Sequence, residues 1–125
     1  MIADLQCVVL DRPHPARLAE FHAAALGGEA DRPDKRWAPG EDWATVHTQT
    51  GLALCFQRVE EFSPPAWPDP ARPQQFHLDF GVRDLDRAQE QVLALGATVL
   101  DGGTDARGRR VFADPAGHPF CLVRH

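Results

Sequence analysis

Hydrophobic and polar positions alternate in short runs along this 125-residue chain, and two longer stretches change to a helical period. Residues 4–10, Asp-Leu-Gln-Cys-Val-Val-Leu, predict a first strand, and Asp11 to Pro15 predict a turn. Leu18, Phe21, Ala25 and Leu26 then form one apolar stripe, so a helix is expected from Pro15 to about Leu26. Pro15 suits the first helical position, and Gly27-Gly28 ends the helix. Residues 29–41 are polar and hold Pro33, Pro39 and Gly40, which predicts a loop or a weak strand. Residues 43–48 and 52–57 predict an antiparallel hairpin turning at Gln49-Thr50-Gly51.

Residues 58–74 form a linker that Pro64, Pro65, Pro68, Pro70 and Pro73 should keep extended and stiff. Trp67 within it is expected to pack on the core, the alternative being a position over a cleft. The first pattern then returns. A strand is predicted at 76–82, followed by a helix at 85–95 with Asp84 as its N-cap and Leu85, Ala88, Val92 and Leu95 as its stripe. Gly96 closes it, strands are predicted at 98–100, 109–113 and 119–123, and Asp114-Pro115-Ala116-Gly117 makes a turn.

The halves match by position. An offset of 70 carries Cys7 onto His77, one of 69 carries Leu26-Gly27 onto Leu95-Gly96, and one of 66 carries Cys55 onto Cys121. Half-chains of this size are too small to bury separate cores, so they should pair in one domain. That domain, 1–125, divides into module one (1–57), the linker (58–74) and module two (75–125). Strand parity places Val8, Leu10, Leu52, Leu54, Phe56, Leu78, Phe80, Val82, Phe120 and Leu122 against the helices. It places Cys7, Cys55, His77, Asp79 and Cys121 together on the opposite face.

Composition narrows the function classes. With 43% hydrophobic and 25% charged residues the chain reads as globular. A net charge of −5 and the lack of a basic stripe argue against nucleic acid as the main partner, and the short cluster Arg107, Arg109 and Arg110 reads as a solvated turn and strand edge. No apolar run approaches a membrane span and no signal peptide opens the sequence, so a cytoplasmic location is expected. Three cysteines, an odd number, do not make a disulfide framework there.

The sequence resembles the vicinal oxygen chelate superfamily, the glyoxalase and bleomycin-resistance fold, and within it the small glyoxalase-like domain proteins. The resemblance is carried by Ala19-Glu20-Phe21-His22 with Leu26-Gly27, by residues 54–59, by His77-Leu78-Asp79-Phe80 with Asp84-Leu85-Asp86, and by residues 114–122. It implies an α+β fold in which two βαβββ modules form an incomplete barrel around a cleft, with the helices outside. It implies a homodimer and a small-molecule ligand. Metal-dependent members place ligands, usually His, Gln or Glu, at positions that correspond here to Cys7, Cys55, His77 and Cys121. Only His77 keeps a usual ligand, and Cys121 stands where metal enzymes usually carry Glu.

Three readings of the cysteines stay open: small buried core residues, a zinc or other soft-metal site, and a reactive thiol. His77 is either a hydrogen-bonded core or cleft residue or a ligand, and its residue type suits acid–base work. Asp79, Gln57 and Trp43 are the further candidates for lining the cleft. His14, His22, His47, His118 and His125 show no metal-ligand spacing and are expected at the surface or in turns. The expected function is binding of a small organic molecule in the cleft without the usual catalytic metal set. The alternative is a metal-dependent lyase, isomerase or dioxygenase, with a divalent metal such as Zn as the cofactor.

Overall fold

A computed structural model describes residues 1–125 except Pro39 and Thr104 and the side chain of Asp105. The part of the 29–41 loop expectation that falls on Pro39 therefore lies outside the described residues. The chain divides into two compact units, Met1–Phe62 and Ser63–His125.

In the first unit, β1 (Val8–Arg12) leads to α1 (Pro15–Leu26), β2 (Glu29–Ala30), β3 (Trp43–His47) and β4 (Ala53–Arg58). The sheet order is β1-β4-β3-β2, with β1 parallel to β4 and the other pairs antiparallel. The first strand starts at Val8 rather than residue 4 and continues through Asp11 and Arg12. The parallel ladder explains this, because Asp11 pairs with Gln57 and Arg12 with Arg58, and backbone pairing carries the polar residues that the periodicity assigned to a turn. Pro15 occupies the start of α1 and Gly27 ends it in the left-handed conformation (φ 67°).

His22 is a correction to the surface assignment, being 1% exposed. It lies on the apolar stripe one turn after Leu18, edge-on to Phe21 at 5.1 Å and stacked on Phe56 at 5.4 Å. Leu10, Ala44, Val46, Leu54 and Phe56 complete this core, while Leu52, expected to face the helix, is 37% exposed in the turn before β4.

The second unit repeats the plan. It runs through β5 (Leu78–Val82), α2 (Leu85–Ala94), β6 (Thr98–Asp101), a short 3₁₀ turn (Asp105–Arg107), β7 (Arg109–Ala113) and β8 (Pro119–Arg124). Its order is β5-β8-β7-β6, with β5 parallel to β8. Asp84 caps α2 by accepting the Arg87 N–H at 3.1 Å. Val8 pairs with Leu54 as Leu78 pairs with Phe120, and Val9 with Cys55 as Asp79 with Cys121. Both sequence offsets, 70 and 66, are thus rungs of the two ladders. Phe80, Phe112, Phe120 and Leu122 are buried together with Leu85 and Val92 of α2. Arg110 is no solvated edge residue, since its guanidinium donates to Gln89 at 3.0 Å and to Asp86 at 2.8 Å on α2.

The Pro-rich segment is not simply extended. Backbone bonds from Ala66 to Arg72, Asp69 to Ala66 and Arg72 to Asp69 fold its middle into turns, and Trp67 is half-buried rather than core. No helix among the described residues is long and apolar enough to cross a membrane.

The turn between β7 and β8 sets the position of β8. Asp114 is 4% exposed, and its Oδ1 accepts the N–H groups of Ala116 and His118, both at 2.9 Å. Asp114→Ala leaves those half-buried donors without their charged acceptor and is expected to cost about 2 kcal/mol, read from the urea midpoint.

Candidate functional site

Residues paired across neighbouring strands share a sheet face. On the face of the second module away from α2, β5 presents Asp79 with His77 just before it, and β8 presents Cys121 directly opposite Asp79. One ligand atom from each of His77, Asp79 and Cys121 lies within 4.8 Å of the others. His77 Nε2 is 3.2 Å from Asp79 Oδ1, and their side chains are 36% and 58% exposed. Cys121 is 4% exposed. Burial pushes its thiol up to about 11, the Asp79 carboxylate adds to this by its charge and by accepting the S–H, and Arg109 acts in the opposite sense. Asp79 thus stands between the imidazole and the thiol.

Nitrogen, oxygen and sulfur donors this close, two of them open to solvent, fit a borderline cation such as Zn²⁺. They fit a hard cation less well because of the thiol. Three protein ligands leave one tetrahedral position for water or a ligand.

The equivalent face of the first module differs. Cys7 is half-buried and Cys55 fully buried. Burial, then the hydrogen bond with Cys7, pushes the Cys55 thiol up to about 12. The guanidinium of Arg36 lies close enough to both thiols to act on them electrostatically. It is fixed by Asp34, whose carboxylate accepts the Arg36 N–H at 2.9 Å, Nε at 3.0 Å and Nη2 at 2.7 Å. His47 Nε2 meets the same carboxylate at 2.9 Å. The Arg36 side chain and backbone bonds, then His47, hold Asp34 well below the usual carboxylate range. Trp37 lies under Arg36 at 4.1 Å and beside His47 at 6.1 Å.

His47 is therefore a second correction, a buried residue (7% exposed) of this cluster rather than a surface histidine. The fixed guanidinium places a positive charge beside the thiols of Cys7 and Cys55, which opposes the binding of a cation there. Each pair of the four positions, Cys7 with Cys55 and His77 with Cys121, comes together within its own module.

Trp43 and Gln57 pair across β3 and β4. Together with Asp42, Arg58 and Glu60 they line an open cavity of about 500 Å³ in the first unit. Arg58 stands between Asp42 at 3.7 Å and Glu60 at 4.0 Å. Asp34, Arg36 and Trp37 were not legible as site residues, because they belong to a loop without periodicity. The signal for His47 was present: hairpin pairing opposite Ala53 puts it on the face of Cys55.

Two open mixed sheets, each with one helix and a first strand parallel to its last, define an α+β protein of the vicinal oxygen chelate type. The chain belongs to the glyoxalase-like domain family, whose model matches residues 7–123. Among solved structures it is similar to a glyoxalase/bleomycin resistance protein/dioxygenase family enzyme from Burkholderia phytofirmans PsJN, at 18% identity, with 98% of each chain covered and a TM-score of 0.73. It is also similar to the fosfomycin resistance protein FosX from Listeria monocytogenes, at 17% identity, covering 100% of this chain and 95% of that one, TM-score 0.71. A FosX mutant complexed with Mn(II) and 1S,2S-dihydroxypropylphosphonic acid matches at 18% identity over 98% and 90% of the two chains, TM-score 0.70. No curated protein matches the chain.

Proposed function

We propose that this protein binds a small organic molecule at a divalent metal of the zinc type held by His77, Asp79 and Cys121. The observation that carries the reading is the convergence of three different donor atoms within 4.8 Å on one face of the second module. It departs from the metal-free reading that the residue types alone favoured, because Asp79 supplies the third donor. Zinc has no redox chemistry, so a lyase or isomerase reaction fits this donor set better than a dioxygenase reaction. When bound, the metal would polarise an oxygen of the ligand; the chain's own part is to orient it and to leave one coordination position open.

A metal-free reading retains one specific support, the cavity lined by Trp43 and Gln57, where an indole face and an amide could hold a small ligand. The proposed protein is a single 1–125 domain acting in the cytoplasm, and it forms a homodimer as the resemblance implies; sedimentation equilibrium checks the dimer. Metal analysis of untagged protein, as purified and after loading with Zn, Ni, Mn or Fe, separates the two readings. One equivalent of tightly held zinc is expected. No uptake of any of the four leaves the metal-free reading standing and sinks the first.

A further inference from the structure

The face that carries His77, Asp79 and Cys121 continues along both strands to Gly81 on β5 and to Val123 and residue 125 beyond β8. His125 is tied to this edge by its N–H, which donates to the Val82 carbonyl at 3.1 Å. Its imidazole does not project away. A Cβ built on Gly81 would lie 2.7 Å from the ring Cδ2 and 2.8 Å from Nε2. The ring therefore folds back over Gly81 and occupies the space that any other residue there would fill. Gly81 has no left-handed backbone to require glycine, so the space itself is the feature. Gly81 is the next residue after Asp79 on this face, roughly 6.6 Å along the strand. That is the spacing of neighbouring side chains on one face, so a small ligand on a metal at the cluster would come within reach of the imidazole.

We propose that His125 is a fourth functional residue of this site, its imidazole hydrogen-bonding the molecule that occupies the open coordination position of the metal. The inference rests on the metal reading of the previous subsection and adds a ligand-contacting group that neither the repeat nor the donor cluster includes. It also gives Gly81 a role, as the seat that lets the ring lie toward the cluster.

The test uses the full chain loaded with Co(II), whose visible spectrum reports coordination, and azide as the probe. Wild type, His125→Ala and Gly81→Ala are each titrated with Co(II) and then with azide. Gly81→Ala should fold, because the clash is with the end of an exposed, flexible side chain, and should push the ring off its seat. All three proteins are expected to bind one Co(II) with similar spectra. Azide affinity is expected to fall at least about tenfold in both variants, the loss of one hydrogen bond to a charged ligand. Unchanged azide affinity with Co(II) still bound overturns the role of His125 and leaves the metal reading intact. Loss of Co(II) from His125→Ala also overturns it, since the ring would then be a metal ligand itself. A wild-type protein that takes up no Co(II) sinks both.

Discussion

Cys121→Ala is expected to lose zinc on the order of a hundredfold or more, whereas Cys55→Ala, the matching change in the first module, is expected to keep it. The two cysteines occupy equivalent rungs of the two parallel ladders, so the contrast depends on their surroundings. Cys121 faces a carboxylate and an exposed imidazole. Cys55 faces a second thiol and the fixed guanidinium of Arg36. The comparison also decides against a closed set of three cysteines and one histidine, which would fail in both variants.

Uptake by the wild type should depend steeply on pH. The Cys121 thiol is held up to about 11, and zinc takes the thiolate, so binding expels the thiol proton. Below that value a rise in pH lowers the cost of removing the proton, and affinity is expected to increase by about tenfold per pH unit between about pH 7 and 8. Competition against a chromophoric chelator measures both effects. Equal zinc affinity in Cys121→Ala and wild type would remove the thiol from the site. A flat pH response in the wild type would remove its proton from the binding step.

Much of the fold was legible because it rests on local rules. Helix stripes, the glycines that stop them and the Asp-Pro-Ala-Gly turn marked the elements, and strand parity put Cys55 and Cys121 on equivalent rungs. Failures occurred where distant side chains decide the outcome. Asp11 and Arg12 are strand residues only because Gln57 and Arg58 pair with them. The loop after β2 is held by Asp31 Oδ1 accepting the Thr45 N–H at 3.0 Å and by Asp34 on His47, contacts between residues more than ten apart. No periodicity announces such contacts. For the candidate site the sequence placed His77, Asp79 and Cys121 on one face but could not supply the distances among them. It therefore treated Asp79 as lining rather than as a donor. His125 is exposed, as expected, but the place of its ring over Gly81 was not legible, since it depends on the absence of a side chain 44 residues earlier in the chain.

Phe120→Ala is expected to destabilise the protein by about 3–5 kcal/mol, a large share of the roughly 5–15 kcal/mol that holds a typical domain folded. Phe120 is 1% exposed and is the middle ring of three, stacked on Phe80 at 4.9 Å and on Phe112 at 5.6 Å. The three rings come from the adjacent strands β5, β8 and β7, so removing the central one leaves a cavity that the backbone ladders cannot close. Phe76→Ala is the control, with a ring 50% exposed and an expected effect within about 0.5 kcal/mol. Urea unfolding followed by tryptophan fluorescence and by circular dichroism measures both. The consequence reaches the candidate site, because Phe120 and Cys121 are neighbours that point to opposite faces. Burial of the ring keeps the thiol turned toward Asp79, and a one-residue slip of β8 would exchange the two. Phe120→Leu, which keeps an apolar side chain in the stack, is therefore expected to retain zinc, with a smaller loss of stability than Phe120→Ala. Zinc binding by folded Phe120→Ala as tight as that of wild type would show that the aromatic stack does not orient the thiol.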